Sequence, residues 1–101
     1  MNATEYLITL NVSPSLEEVV VDCLLTFEAE AGFSSFPIYA HDHRNEGLTI
    51  EEQVSGRQKK IRFQMYVPEA RCEAFLAKLK AEFSGTDIHY WVLPIIAQGI
   101  I

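Results

Sequence analysis

Two histidines one residue apart, in His41-Asp42-His43, are the part of this sequence best suited to holding a metal ion. Residues two apart on an extended strand project from the same face, so both imidazoles could meet one ion. Imidazole suits zinc, copper, nickel or cobalt, and two such ligands need one or two more from elsewhere. His89 is the third histidine. Two solvated histidines at a strand end would give the same pattern, so the pair is a candidate and no more.

A second candidate is the basic group Arg57, Lys59, Lys60 and Arg62, four of the eight Lys and Arg residues in a chain of net charge −6. Lys60 and Arg62 share a strand face, where a guanidinium fork beside a point charge suits a phosphate or carboxylate. The alternative is charge complementarity with Glu46, Glu51 and Glu52 across the hairpin, or ion pairs between subunits. The segment between the two candidates, 44–58, is long for a connection in a compact domain, and long ordered loops tend to carry function. Its Leu48, Ile50 and Val54 are too apolar for a free linker. Either it docks as a short strand or turn, or it orders on a protein target, with Glu46, Leu48, Ile50, Glu52, Gln53 and Val54 as the contact residues.

Other classes of chemistry are excluded. No serine or cysteine lies in a nucleophile motif, and the acidic residues are scattered over helix surfaces. His41 and Asp42 point to opposite faces of a strand and cannot form a dyad. The expectation is a protein that is not an enzyme. The acidic balance opposes nucleic-acid binding, which needs phosphates neutralised by lysine and arginine. No run of 18 apolar residues is present to span a membrane, and the start lacks a secretory pattern. Cys23 and Cys72 have no metal or redox spacing and fall on apolar helix faces, as reduced core residues of a cytoplasmic protein would. At 101 residues and 49% apolar content, residues 1–101 are expected to form one domain.

The elements that position these residues follow from periodicity. Tyr6–Val12 alternates as a strand. Ser13-Pro14 starts a helix with serine as the cap, running to about Glu30 and ended by Gly32 in a left-handed conformation. On it, Val21 and Leu25 lie among charges, as single exposed residues or as a subunit contact. A second strand covers Ser34–His43, with Phe36, Ile38 and Ala40 opposite Tyr39, His41 and His43, and Pro37 makes it an edge. Lys60–Val67 is the clearest strand. Pro68-Glu69 opens a helix striped by Cys72, Phe75, Leu76, Leu79 and Phe83 and closed by Gly85. Asp87–Leu93 is the last strand, stopped or kinked at Pro94, before an apolar tail.

The order β-α-β-β-α-β predicts an α+β, ferredoxin-like fold: a four-stranded antiparallel sheet with two helices on one face. The bare face would carry Leu7, Thr9, Asn11, Tyr39, His41, Lys60, Arg62, Gln64 and Tyr66, with either His89 and Trp91 or Tyr90. His89 then lies three strands from His41, roughly 14 Å at about 4.8 Å per strand, and can share an ion only across a subunit boundary. Such a mixed face beside an apolar tail predicts self-association.

The order of elements, the long second connection and the tail beyond Tyr90-Trp91-Val92-Leu93-Pro94 resemble PII-like proteins and the related CutA proteins. Glu52-Gln53-Val54-Ser55-Gly56-Arg57, its spacing to Ile61-Arg62-Phe63, and Tyr90–Pro94 resemble an uncharacterised bacterial PII-like family often encoded beside heavy-metal efflux systems. The resemblance implies a homotrimer whose sheets face a threefold axis, with ligand sites in intersubunit clefts. It also implies that the 44–58 segment is the counterpart of the loop by which PII proteins engage targets. PII proteins hold ATP phosphates with a glycine- and lysine-rich turn before the last strand; here that turn is Ser84-Gly85-Thr86-Asp87, without lysine, and no Walker-type loop exists. ATP does not fit this turn. Two functions follow from the resemblance: a small-ligand-sensing regulatory protein, or a CutA-like divalent-metal protein using His41 and His43. A nitrogen-regulatory role would rest on fold analogy alone.

Overall fold

The computed structural model describes residues 4–27, 32–41 and 57–101. The elements are β1 (Glu5–Val12), a 3-10 turn (Pro14–Leu16), α1 (Glu17–Thr26), β2 (Phe33–His41), β3 (Arg57–Pro68), α2 (Glu69–Phe83) and β4 (His89–Ile95). The strands form one antiparallel sheet in the order β2-β3-β1-β4. This is the expected ferredoxin-like α+β arrangement, with the two cleanest alternating strands at its centre.

Alternation decides what each central strand buries. Ile8, Leu10 and Val12 of β1 meet Met65, Phe63 and Ile61 of β3 in register, and on this side Val20, Leu24, Phe75, Leu79 and Phe83 of the helices complete the core. Phe27, just past α1, meets Phe75 of α2 edge-on at 4.6 Å, which joins the two helices. The Arg71 guanidinium donates to the Phe27 carbonyl at 3.4 Å and lies 5.2 Å from the Phe27 ring. A cation from α2 thus sits at the negative end of α1. The Glu69 N–H donates to Thr4 O at 2.9 Å, tying the start of α2 to the start of β1.

Several boundaries differ from expectation, each for a local reason. The first helix begins as a 3-10 turn, and the α-helix proper starts at Glu17. Ser13 does not cap it with its side chain; its carbonyl accepts from the Leu16 N–H at 2.9 Å. The Ser13 hydroxyl is engaged by Lys60 Nζ at 3.3 Å instead. The strand β3 starts at Arg57 rather than Lys60, so Arg57, Gln58 and Lys59 belong to a ladder and not to the connection. Their polarity hid this, because both faces of that end of the hairpin meet water. Pro94 does not stop the last strand, which continues to Ile95. It lies inside β4, an edge strand, where a missing N–H on the outer side costs no ladder bond.

Gly85 does not cap α2 directly. Ser84 is extended (φ −57°, ψ 133°), Gly85 has φ +79°, and the Thr86 N–H returns to Phe83 O at 3.2 Å. This is a type II turn, whose third position requires positive φ. A Cβ at Gly85 would meet nothing within 4 Å, so Gly85→Ala carries only the backbone cost. A loss of about 1–2 kcal/mol is expected from its urea midpoint.

Cys23 and Cys72 are free thiols packed against the core. Burial raises the Cys23 thiol above its ordinary range, Glu82 raises it further, and Lys78 partly opposes the shift. Burial alone raises Cys72. Only thiolate is nucleophilic, so both should react with a disulfide reagent at pH 8 several-fold more slowly than in unfolded protein. The sign for stability follows. The unfolded chain gives up these protons first, so the contribution is intact below the ordinary thiol range and lost as pH rises through the folded-state values. A Cys23→Ala/Cys72→Ala variant should therefore lose less stability than the parent between pH 8 and pH 10, and an equal loss would contradict the burial.

Candidate functional site

The sheet face away from the helices is built in rows that the strand register defines. One row runs Phe36, Arg62, Asn11, His89; the next runs Ser34, Gln64, Thr9, Trp91. Beyond them, Lys60 reaches past the end of β1 to Ser13, and Leu7 is flanked by Tyr66 and Leu93.

Arg62 is the centre of this face. Its Nε donates to Asn11 Oδ1 at 2.9 Å, and its guanidinium carbon lies 5.2 Å from the Trp91 ring centroid. The His89 ring meets the other side of that constellation, 5.3 Å from Trp91 and edge-on. Gln64 Nε2 lies 3.5 Å from Thr9 Oγ1. Thr9 has 0% exposure although no helix covers it, because its longer neighbours close over it. Asn11 and Trp91 fix the fork from two directions, and its other N–H donors are of the kind that takes a planar anion. From the Leu7 row to the Lys60 row, no Asp or Glu occupies a described position of this face. Phe36, Tyr66 and Leu93 are exposed at its margins, Leu93 by 51%.

The bare face differs from the expected one on β2. Tyr39 and His41 lie on the helix side, while Phe36, Ile38 and Ala40 lie on the bare side. The anchor is Phe33, opposite Met65, with its ring 6.1 Å from that of Phe63. With Phe33 in the core, a period of two places Phe36 outside. On β4 the register chooses His89 and Trp91 for the bare face and Tyr90, opposite Leu10, for the helix side.

This parity divides the basic group. Lys60 and Arg62 share the bare face, whereas Arg57 and Lys59 follow Ile61 and Phe63 onto the other. Arg57 lies 4.5 Å over the Tyr39 ring and opposite His41. The four cations therefore form two pairs on opposite sides of the hairpin and do not form one site.

Of the three histidines, the two described ones, His41 and His89, are not brought together in one subunit. His41 is on β2 facing the helix side, and His89 is on β4 at the far edge facing the bare side. His43 lies outside the described residues, as do Glu46, Leu48, Ile50, Glu52, Gln53 and Val54 of the connection. Among the described residues no group of three or more His, Cys, Asp or Glu could hold a metal ion. Residue type and spacing place Asn11, and in one of two alternatives Trp91, on the bare face but do not single them out as partners of Arg62. Their signal is the register with Arg62, which periodicity alone does not supply.

The fold has clear relatives among solved structures. A DUF3240 family protein from Shewanella baltica OS155 superposes with a TM-score of 0.79 at 24% identity, covering 99% of each chain. CutA from Synechococcus elongatus PCC7942 gives 0.73 at 16% identity, covering 96% of this chain and 81% of the other. Arabidopsis thaliana PII bound to citrate gives 0.68 at 14% identity, covering 93% and 77%. The fold is thus PII- and CutA-like. No curated protein matches the chain. No helix of the described residues is long and apolar enough to cross a membrane. A family model matches residues 3–101, nearly the whole sequence, and the chain accordingly belongs to the family described as Protein of unknown function (DUF3240).

Proposed function

We propose that this protein is a small-ligand-sensing regulatory protein of the PII-like kind and not an enzyme. It works as a cytoplasmic homotrimer that holds an anionic ligand in clefts between subunits and signals to a protein target through the 44–58 segment. The observation that carries the reading is the bare sheet face, with Arg62 held by Asn11 and Trp91, Lys60 beside it and no carboxylate among them. Copies of net charge −6 repel one another, so the face on which they meet needs local positive charge or none. A face with two cations and an aromatic rim meets that need, and a bound anion would neutralise the cations that assembly brings close.

The first probe is citrate, a tricarboxylate, because the Arabidopsis PII relative was solved with it. ATP and divalent metals form the comparison arms. A ligand that binds only the folded protein raises the melting temperature. The expected outcome is a shift with citrate and none with ATP, whose phosphates find no lysine in the Ser84–Asp87 turn. The CutA-like metal reading uses the His41 and His43 pair of one subunit, with His89 supplied by another. A shift with Zn(II) or Cu(II) that disappears in His41→Ala, with silence toward citrate, would replace the anion reading with that one.

A further inference from the structure

We propose that the groove between α2 and β4 is a second ligand site, within a single subunit, for a small amphipathic monoanion: an apolar body carrying one carboxylate-like head. The helix α2 runs over the helix side of the sheet and leaves the outer strand β4 partly bare. Between them lies a cavity of about 350 Å³. Leu10 forms its floor, Leu79 and Phe83 one wall, and Ile88 and Tyr90 the other. This volume lies at the lower end of the range for small-molecule sites, about 300–1,000 Å³. The chemistry is lopsided: an apolar body with one charge at its rim. That charge is Lys80, whose Nζ lies 5.4 Å from the Tyr90 ring centroid and lines the opening.

Charge complementarity commits the occupant. An apolar body fills the groove, and an anionic head at its rim gains a charge-assisted contact with Lys80 that a neutral molecule lacks. The site is independent of the assembly face, because Tyr90 points to the helix side while His89 and Trp91 on either side of it point away.

Octanoate is the probe, with 1-octanol as its uncharged counterpart, each titrated into the intact protein and followed by amide chemical shifts. Octanoate is expected to shift Leu79, Ile88 and Tyr90 saturably below roughly 10 mM. Lys80→Gln, an exposed change, should weaken octanoate about fivefold or more and leave 1-octanol unchanged. Arg62→Ala, on the other side of the sheet, should leave the octanoate response intact, which separates this site from the anion site proposed above. Shifts that scatter over the surface or do not saturate would overturn the site. Equal weakening of both probes by Lys80→Gln would overturn its charge selectivity, and loss of the octanoate response in Arg62→Ala would overturn its independence.

Discussion

Phe63→Ala is expected to lower the unfolding free energy by about 3–5 kcal/mol, the range for truncating a buried phenylalanine. Phe63 has 0% exposure, lies on the central strand β3, and faces Leu10 across the ladder with Phe33 on its other flank. The hole would open where β1, β2 and β3 share one core, and the surrounding backbone is held by ladders on both sides, so it can collapse little. A domain of this size has about 5–15 kcal/mol in total, so the variant would lose a large share of its stability. Urea unfolding reads it directly. A loss under about 1 kcal/mol would mean that Phe63 does not lie at the centre of the core.

The second large effect is expected at Arg62. Light scattering of the parent should give three times the 11.4 kDa chain mass. Arg62→Glu should give the single chain. The substitution breaks the bond to Asn11, removes the cation from Trp91 and sets a carboxylate among rows of this face that hold none at a described position. Three such charges facing one another around an axis would cost several kcal/mol. Arg62→Ala is the gentler variant. It should keep the trimer and weaken citrate by about tenfold or more, since a charge-assisted contact contributes about 1.5–3 kcal/mol. A parent that runs as a single chain would remove the intersubunit clefts and the reading with them. A trimeric parent whose citrate response survives in Arg62→Ala would move the ligand elsewhere.

How much of this was legible in the residues differs from strand to strand. On β1 and β3 the alternation of Ile8, Leu10 and Val12 with Thr9 and Asn11, and of Ile61, Phe63, Met65 and Val67 with Arg62, Gln64 and Tyr66, is enough to assign faces. Each of these strands has one face under helices and one not, and composition records that difference. The strand β2 gives no such record. Phe36, Ile38 and Ala40 look like its buried set, but the helices do not decide its face at that end of the hairpin; Phe33 does, from the other end. The four basic residues cluster in sequence but divide in space for a related reason: adjacency within a strand means opposite faces, and the start of β3 at Arg57 shows that all four obey that parity.

The sequence by itself determined the element order, the central and edge strands, the core of the two helices and the absence of catalytic motifs, because each depends on local periodicity or residue type. Only the tertiary structure decided which residues share a face across strands. That choice brought Asn11, Arg62, His89 and Trp91 together, set His41 apart from His89, and opened the groove beside Lys80. Such pairings join residues dozens of positions apart, and what selects them is the register of the ladders and the placement of α2, neither of which any single stretch of residues encodes.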